Sequence, residues 1–129
     1  MKINIFTIFV LLTLTLFAEL PPQVYENYQK NAPEVLTIKV QKVETSLISL
    51  SEKKVVVHAK VLEVQRSRSK LKVGKEITII YHTTVSRPSG WVGPSPLRVL
   101  VKKNVYDAFL IKNKENNYFS PAARGKSFK

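Results

Sequence analysis

An all-β fold, a small antiparallel barrel of five or six strands (OB-like) with a short N-terminal helix, is what this sequence predicts. Three observations carry that prediction. In Val55 to Tyr81, two runs rich in β-branched residues flank a polar connection containing Gly74, the pattern of antiparallel strands joined by a loop. The other β segments are also short and separated by turn signals, with none of the spacing of βαβ units. Finally, Val55, Val57, Ala59 and Val61 share one face, after which Leu62 and Val64 take over the apolar phase. A slip of one residue within a strand marks a β-bulge, which lets a sheet curve toward closure.

Taken in order, residues 1–18 predict a secretory signal peptide, with Lys2 as the positive end, Ile3 to Phe17 as the apolar run, and Ala18 before Glu19 as the cleavage position. The run is shorter than the ~20 apolar residues of a membrane span. Leu16 stands where a small residue is usual, so retention as an N-terminal anchor is the alternative. Residues 19–34 form a lead-in: Leu20-Pro21-Pro22 is extended, and Gln23 to Asn31 is helical, with Pro22 at its first position and Pro33 as its stop. So brief a helix must dock by Tyr25 and Tyr28.

Residues 35–129 are the expected barrel domain. Val35 to Val43 alternates as a half-buried strand with Leu36, Ile38 and Val40 inward. Glu44 to Ser51 fits either a short strand or a packed loop. Lys53 to Gln65 and Glu76 to Tyr81 form the central hairpin. Thr83 to Pro96, with three prolines and two glycines in 14 residues, is a loop. Leu97 to Val101 and Val105 to Lys112 read as strands about a turn at Lys102 to Asn104. After a second turn at Lys114 to Asn117, Tyr118 and Phe119 begin a last strand, and a basic tail follows.

Composition narrows the function. The chain has no Cys, which removes disulfides, thiol catalysis and Cys-ligated metals, so the core alone must hold an exported domain. Its net charge is +12; loss of Lys2 with the leader leaves 20 basic residues against 9 acidic, a net of +11. That excess attracts polyanions, which for an exported protein means lipopolysaccharide, teichoic acids, acidic polysaccharides or extracellular nucleic acid. The alternative is a composition shared by a whole Lys-rich proteome.

The series Val57-x-Ala59-x-Val61-x-x-Val64, then Lys72-x-Gly74-x-x-Ile77-x-Ile79, then Val105-Tyr106-x-Ala108-Phe109-Leu110, resembles the strand succession of netrin-like domains. These OB-fold barrels include the tissue inhibitors of metalloproteinases. The resemblance implies a fold over roughly residues 55–119. The chain lacks the disulfides of those domains and the N-terminal Cys through which the inhibitors reach a metal, so metalloproteinase inhibition does not carry over. Gly90 to Pro96 and Tyr118 to Phe128 are similar to segments of an exported bacterial family.

Arg66, Arg68, Lys70 and Lys72 recur at every second position and in an extended chain would project from one face, ~6.6 Å apart, with Lys75 continuing the charge. Such a ladder suits a linear polyanion; the alternative is a solvated loop whose lysines discourage edge pairing. Trp91, the only Trp, is either a stacking platform or a staple for its loop. Arg124, Lys126 and Lys129 extend the positive field. His58 and His82 would need a third placed ligand to hold a metal, and Asp107 has no nucleophile elbow to serve. Gly125-Lys126-Ser127 lacks the first glycine and the helix of a phosphate loop.

The expectation is therefore a monomeric, exported, non-enzymatic binding module, periplasmic or extracellular, without cofactor or metal. It would contact an envelope polyanion or an exported protein through Arg66, Arg68, Lys70, Lys72, Lys75, Trp91 and Arg124. Nothing points to a specific nucleic acid or to a membrane span after the leader. A structural envelope component and a protein inhibitor are the alternatives.

Overall fold

The computed structural model describes residues 21–84 and 97–129; the proposed leader and Trp91 lie outside them. Helix α1 (Pro22–Asn31) leads into strands β1 (Glu34–Leu47), β2 (Glu52–Ser67), β3 (Glu76–Thr84), β4 (Val105–Lys112) and β5 (Phe119–Pro121), and a 3-10 turn (Arg124–Lys126) follows. The strands close a barrel in the order β1-β2-β3-β5-β4, with β4 pairing back onto β1. Five strands therefore suffice. The barrel is mixed: β3 and β5 run parallel through the pair Ile79 and Phe119, while the other ladders are antiparallel.

Alternation explains the core. Leu36, Ile38 and Val40 of β1 and Val55, Val57, Ala59 and Val61 of β2 are all buried, as the period of two demands. The expected bulge is present: Ile38 faces Val61 and Thr37 faces Glu63, leaving Leu62 without a partner on β1. Gln65 on β2 and Gln41 on β1 are extra residues of the same kind. Each adds twist, and three in one ladder bend the pair far enough for β1 to reach β4.

Two expectations fail. Leu97 to Val101 is not a strand, because its backbone groups are bound by side chains from the barrel wall. The Tyr81 hydroxyl donates to the Arg98 carbonyl at 2.7 Å and accepts the Leu100 N–H at 3.3 Å. Thr83 Oγ1 donates to the Leu97 carbonyl, and the Tyr106 hydroxyl accepts the Val101 N–H at 3.0 Å. Nor is the C-terminal segment a free basic tail. Ser127 and Phe128 are buried, and hydrogen bonds from the Phe109 N–H to the Ser127 carbonyl (2.8 Å) and from the Asp107 N–H to the Lys129 carbonyl (3.0 Å) continue the β5 ladder along β4. Phe128 plugs that end of the barrel, its ring 5.7 Å from Tyr81 and 6.5 Å from Tyr106.

Burial pushes the Tyr81 phenol up to about 12 from its ordinary 10.0, against the opposing effect of the Leu100 N–H. A raised value means that the neutral phenol stabilises the fold. That contribution is complete below pH 10 and is lost as the pH climbs toward about 12. Unfolding measured across this window should show the stability advantage of the parent over Tyr81→Phe shrinking with pH; a constant difference would contradict the assignment.

Candidate functional site

The basic run between β2 and β3 is shaped by local chemistry. Arg68 and Ser69 form a turn, Lys70 adopts φ +62° and Gly74 φ +93°, so the run is not extended and its four cations do not form one straight ladder. Gly74 accommodates the left-handed backbone without strain, and its N–H reaches the Val61 carbonyl at 2.8 Å. The Val61 N–H in turn reaches the Lys75 carbonyl at 2.9 Å, tying the loop to the bulged part of β2.

What organises the other half of the loop is a carboxylate that sequence reasoning missed. Glu34, only 1% exposed at the first position of β1, accepts hydrogen bonds from the Ser67 hydroxyl, the Ser69 hydroxyl (2.7 Å), the Arg68 N–H (3.1 Å) and the Ser69 N–H (3.2 Å). The Ser67 oxygen also accepts the Leu71 N–H at 2.9 Å. A buried carboxylate needs its acceptor capacity filled, and this turn fills it.

Arg66 has a structural task. Its Nε donates to the Ala32 carbonyl at 2.8 Å and its Nη2 to the Gln29 carbonyl at 3.0 Å, closing the C-terminal end of α1, where orphan carbonyls favour a cation. Arg124 lies 5.6 Å over the Tyr28 ring, beside the contact of Gln29 Nε2 with the Lys126 carbonyl (2.9 Å), so it clamps the helix to the 3-10 turn. The Ser127 hydroxyl serves its own turn, accepting from the Ala123 N–H and donating to the Arg124 carbonyl.

The remaining cations converge. The loop, the start of β3 and the β4–β5 turn enclose a concavity of about 480 Å³ lined by Ser69 to Lys72, Lys75 to Thr78, Lys112, Asn117 and Phe119. A neighbouring recess of about 440 Å³ adds Arg68 and Lys114 and shares Ser69 and Lys112 as its wall. Four lysines, Lys70, Lys72, Lys75 and Lys112, thus face one basin, with Glu76 as the only acid among the described residues that line it. Among the described residues the ion pairs are Lys42–Glu44 and Glu52–His82, both elsewhere. Concave walls focus the field of unpaired charges. Lys112 and Asn117 were not legible as site residues, since only the return of β5 beside β3 brings them to the loop.

His58 and His82 do not meet. His58 sits opposite Thr78 and His82 opposite Lys54, four residues apart along β3, or ~13 Å. His58 Nδ1 contacts the Thr78 hydroxyl at 3.4 Å and His82 Nδ1 the Glu52 carboxylate at 3.2 Å. No group of three or more His, Cys, Asp or Glu among the described residues is placed to hold a metal. Asp107 accepts a hydrogen bond from Thr37 Oγ1 at 2.9 Å. Among the described residues no helix is long and apolar enough to cross a membrane. Comparison of the chain with protein-family models, curated proteins and solved structures yields no match.

Proposed function

We propose that this chain is an exported, monomeric, non-enzymatic module of OB type that holds an anionic envelope polymer across the basic basin. The OB reading is supported by a closed five-stranded barrel in which β4 crosses to the far side of β1 and β5 returns between β4 and β3. The observation that carries the functional reading is the convergence of Lys70, Lys72, Lys75 and Lys112 on one concavity without an ion-pair partner among the described residues. Asn117 supplies a neutral hydrogen-bonding group among the charges, which suits a polyol phosphate or acidic sugar chain better than a bare ion. The second recess, continuing past Ser69 and Lys112, extends the path for a linear ligand. Arg66 and Arg124 belong to the support of the helix in this reading.

Binding of polyglycerol phosphate and of polygalacturonate, measured against salt, tests it. Changing Lys70, Lys72, Lys75 and Lys112 together to Ser should lower affinity more than tenfold at low salt. The slope of log K against log salt should flatten by about 3, at roughly 0.7–0.9 per cation. These surface changes should move stability by no more than about 0.5 kcal/mol each. Undiminished binding by the variant would remove the basin from the account. A 1:1 protein complex that persists at high salt would favour the inhibitor reading.

A further inference from the structure

At the opposite end of β2 from the basin, the β1–β2 hairpin carries an apolar tip. Leu47 is 72% exposed, Ile48 50% and Leu50 97%. β4 accompanies β1 only as far as Lys39, and beyond Val43 every β1 residue is exposed, so the β1 arm of the hairpin lies in water while β3 flanks the β2 arm as far as Glu52. It is nonetheless ordered: Leu47 pairs with Lys53 and Ser46 with Lys54, while the Ile48 and Ser49 N–H groups donate to the Glu52 carbonyl at 2.9 and 3.1 Å. Three large aliphatic side chains in water on a built turn are a contact surface in search of an apolar environment.

Charge selects the occupant. Directly behind the apex lie Lys53 and Lys54, whereas the nearby acids are already engaged, Glu44 with Lys42 at 2.8 Å and Glu52 with His82 at 3.2 Å. An apolar apex backed by cations that pair with no acid among the described residues matches a lipid leaflet with anionic headgroups: the aliphatics enter the acyl boundary while the ammonium groups stay at headgroup level. A second copy is disfavoured, because tip-to-tip contact would bring together these cations on chains of net charge +12. We infer that the Leu47-Ile48-Ser49-Leu50 tip is a shallow insertion device for an anionic membrane surface, placed at the other end of the barrel from the basin. This rests on the hairpin alone and stands or falls independently of the basin.

The absence of Cys allows a single labelled position. On the full chain, an environment-sensitive fluorophore at Leu50→Cys is compared with one at Asn116→Cys in the β4–β5 turn, using vesicles of phosphatidylcholine with and without phosphatidylglycerol. Residues 3–17 would hold the chain on vesicles by themselves, so the readout is the depth of each position and not the amount bound. Expected are a blue shift at position 50 quenched by acyl-chain spin labels, none at position 116, and dependence on phosphatidylglycerol. Lys53→Ser with Lys54→Ser should lower the ratio of inserted to uninserted tip, read from the shifted fraction of the label on vesicle-bound chain, about 25-fold, at about fivefold per cation. An unshifted label at position 50, equal shifts at both positions, or indifference to phosphatidylglycerol would overturn the inference. So would self-association in sedimentation that Leu47→Ser with Leu50→Ser abolishes, which would make the occupant a second copy.

Discussion

Phe128→Ala should cost about 3–5 kcal/mol of unfolding free energy, the scale of an aromatic deleted from a packed core. The ring is 2% exposed, lies against Tyr81 and Tyr106, and is held beside β4, where Phe128 bridges Ala108. Its carbonyl accepts from Arg98 Nη2 at 2.7 Å, so the residue also pins the segment that begins at Leu97. Removing the ring leaves a cavity beside Tyr81 and Tyr106 in the barrel core. Phe128→Leu, which keeps much of the volume, should cost about 1.5 kcal/mol or less. Denaturant titration should show a lowered midpoint with little change in slope. A loss below about 1 kcal/mol for Phe128→Ala would mean that the C-terminal segment is not docked in solution.

The second large effect is expected at Glu34. Replacing it with Ala leaves two seryl hydroxyls and two backbone N–H groups without their acceptor beneath the loop, a loss of about 3 kcal/mol. Glu34→Gln keeps the shape but turns one oxygen into a donor facing donors, so it should cost more than the loss of a neutral hydrogen bond, about 1.5 kcal/mol or above. Amide exchange at Arg68, Ser69 and Leu71 should accelerate in both variants ahead of exchange in β3. Anion binding at the basin should weaken in step, because Ser69 forms the wall between its two halves. Wild-type exchange at Arg68 and Ser69 in Glu34→Ala would show that the carboxylate does not organise the turn.

Several elements are legible from local pattern. Val105–Lys112 and the helix that starts at Pro22 follow from alternation and from proline placement. The bulge at Leu62 is readable because a break in a period of two is itself a local signal. Two other features were misjudged for the same reason. Leu97 to Val101 alternates like a strand, yet its hydrogen bonds go to Tyr81, Thr83 and Tyr106 side chains, a choice set by residues distant in sequence. The tail reads as polar and basic, but Phe128 lies within it, and a lone aromatic does not reveal whether a cavity awaits it.

The candidate site divides along the same line. Lys70, Lys72 and Lys75 were evident as a cationic run, whereas the split that assigns Arg66 to the helix and Lys112 to the basin was not. Ser67-x-Ser69 was visible as residues without meaning until Glu34, 35 positions away from Ser69, was seen to bind both hydroxyls.

By itself the sequence determined the all-β character, the short helix, the place of the bulge and the excess of positive charge, because these depend on side-chain period, proline and glycine geometry, and composition. Tertiary structure alone decided that β3 and β5 run parallel, that Phe128 closes the barrel, which lysines face a common basin and which aliphatic side chains are left in water. Those outcomes depend on pairings between residues far apart along the chain, whose energies come from the closed barrel and not from any local segment.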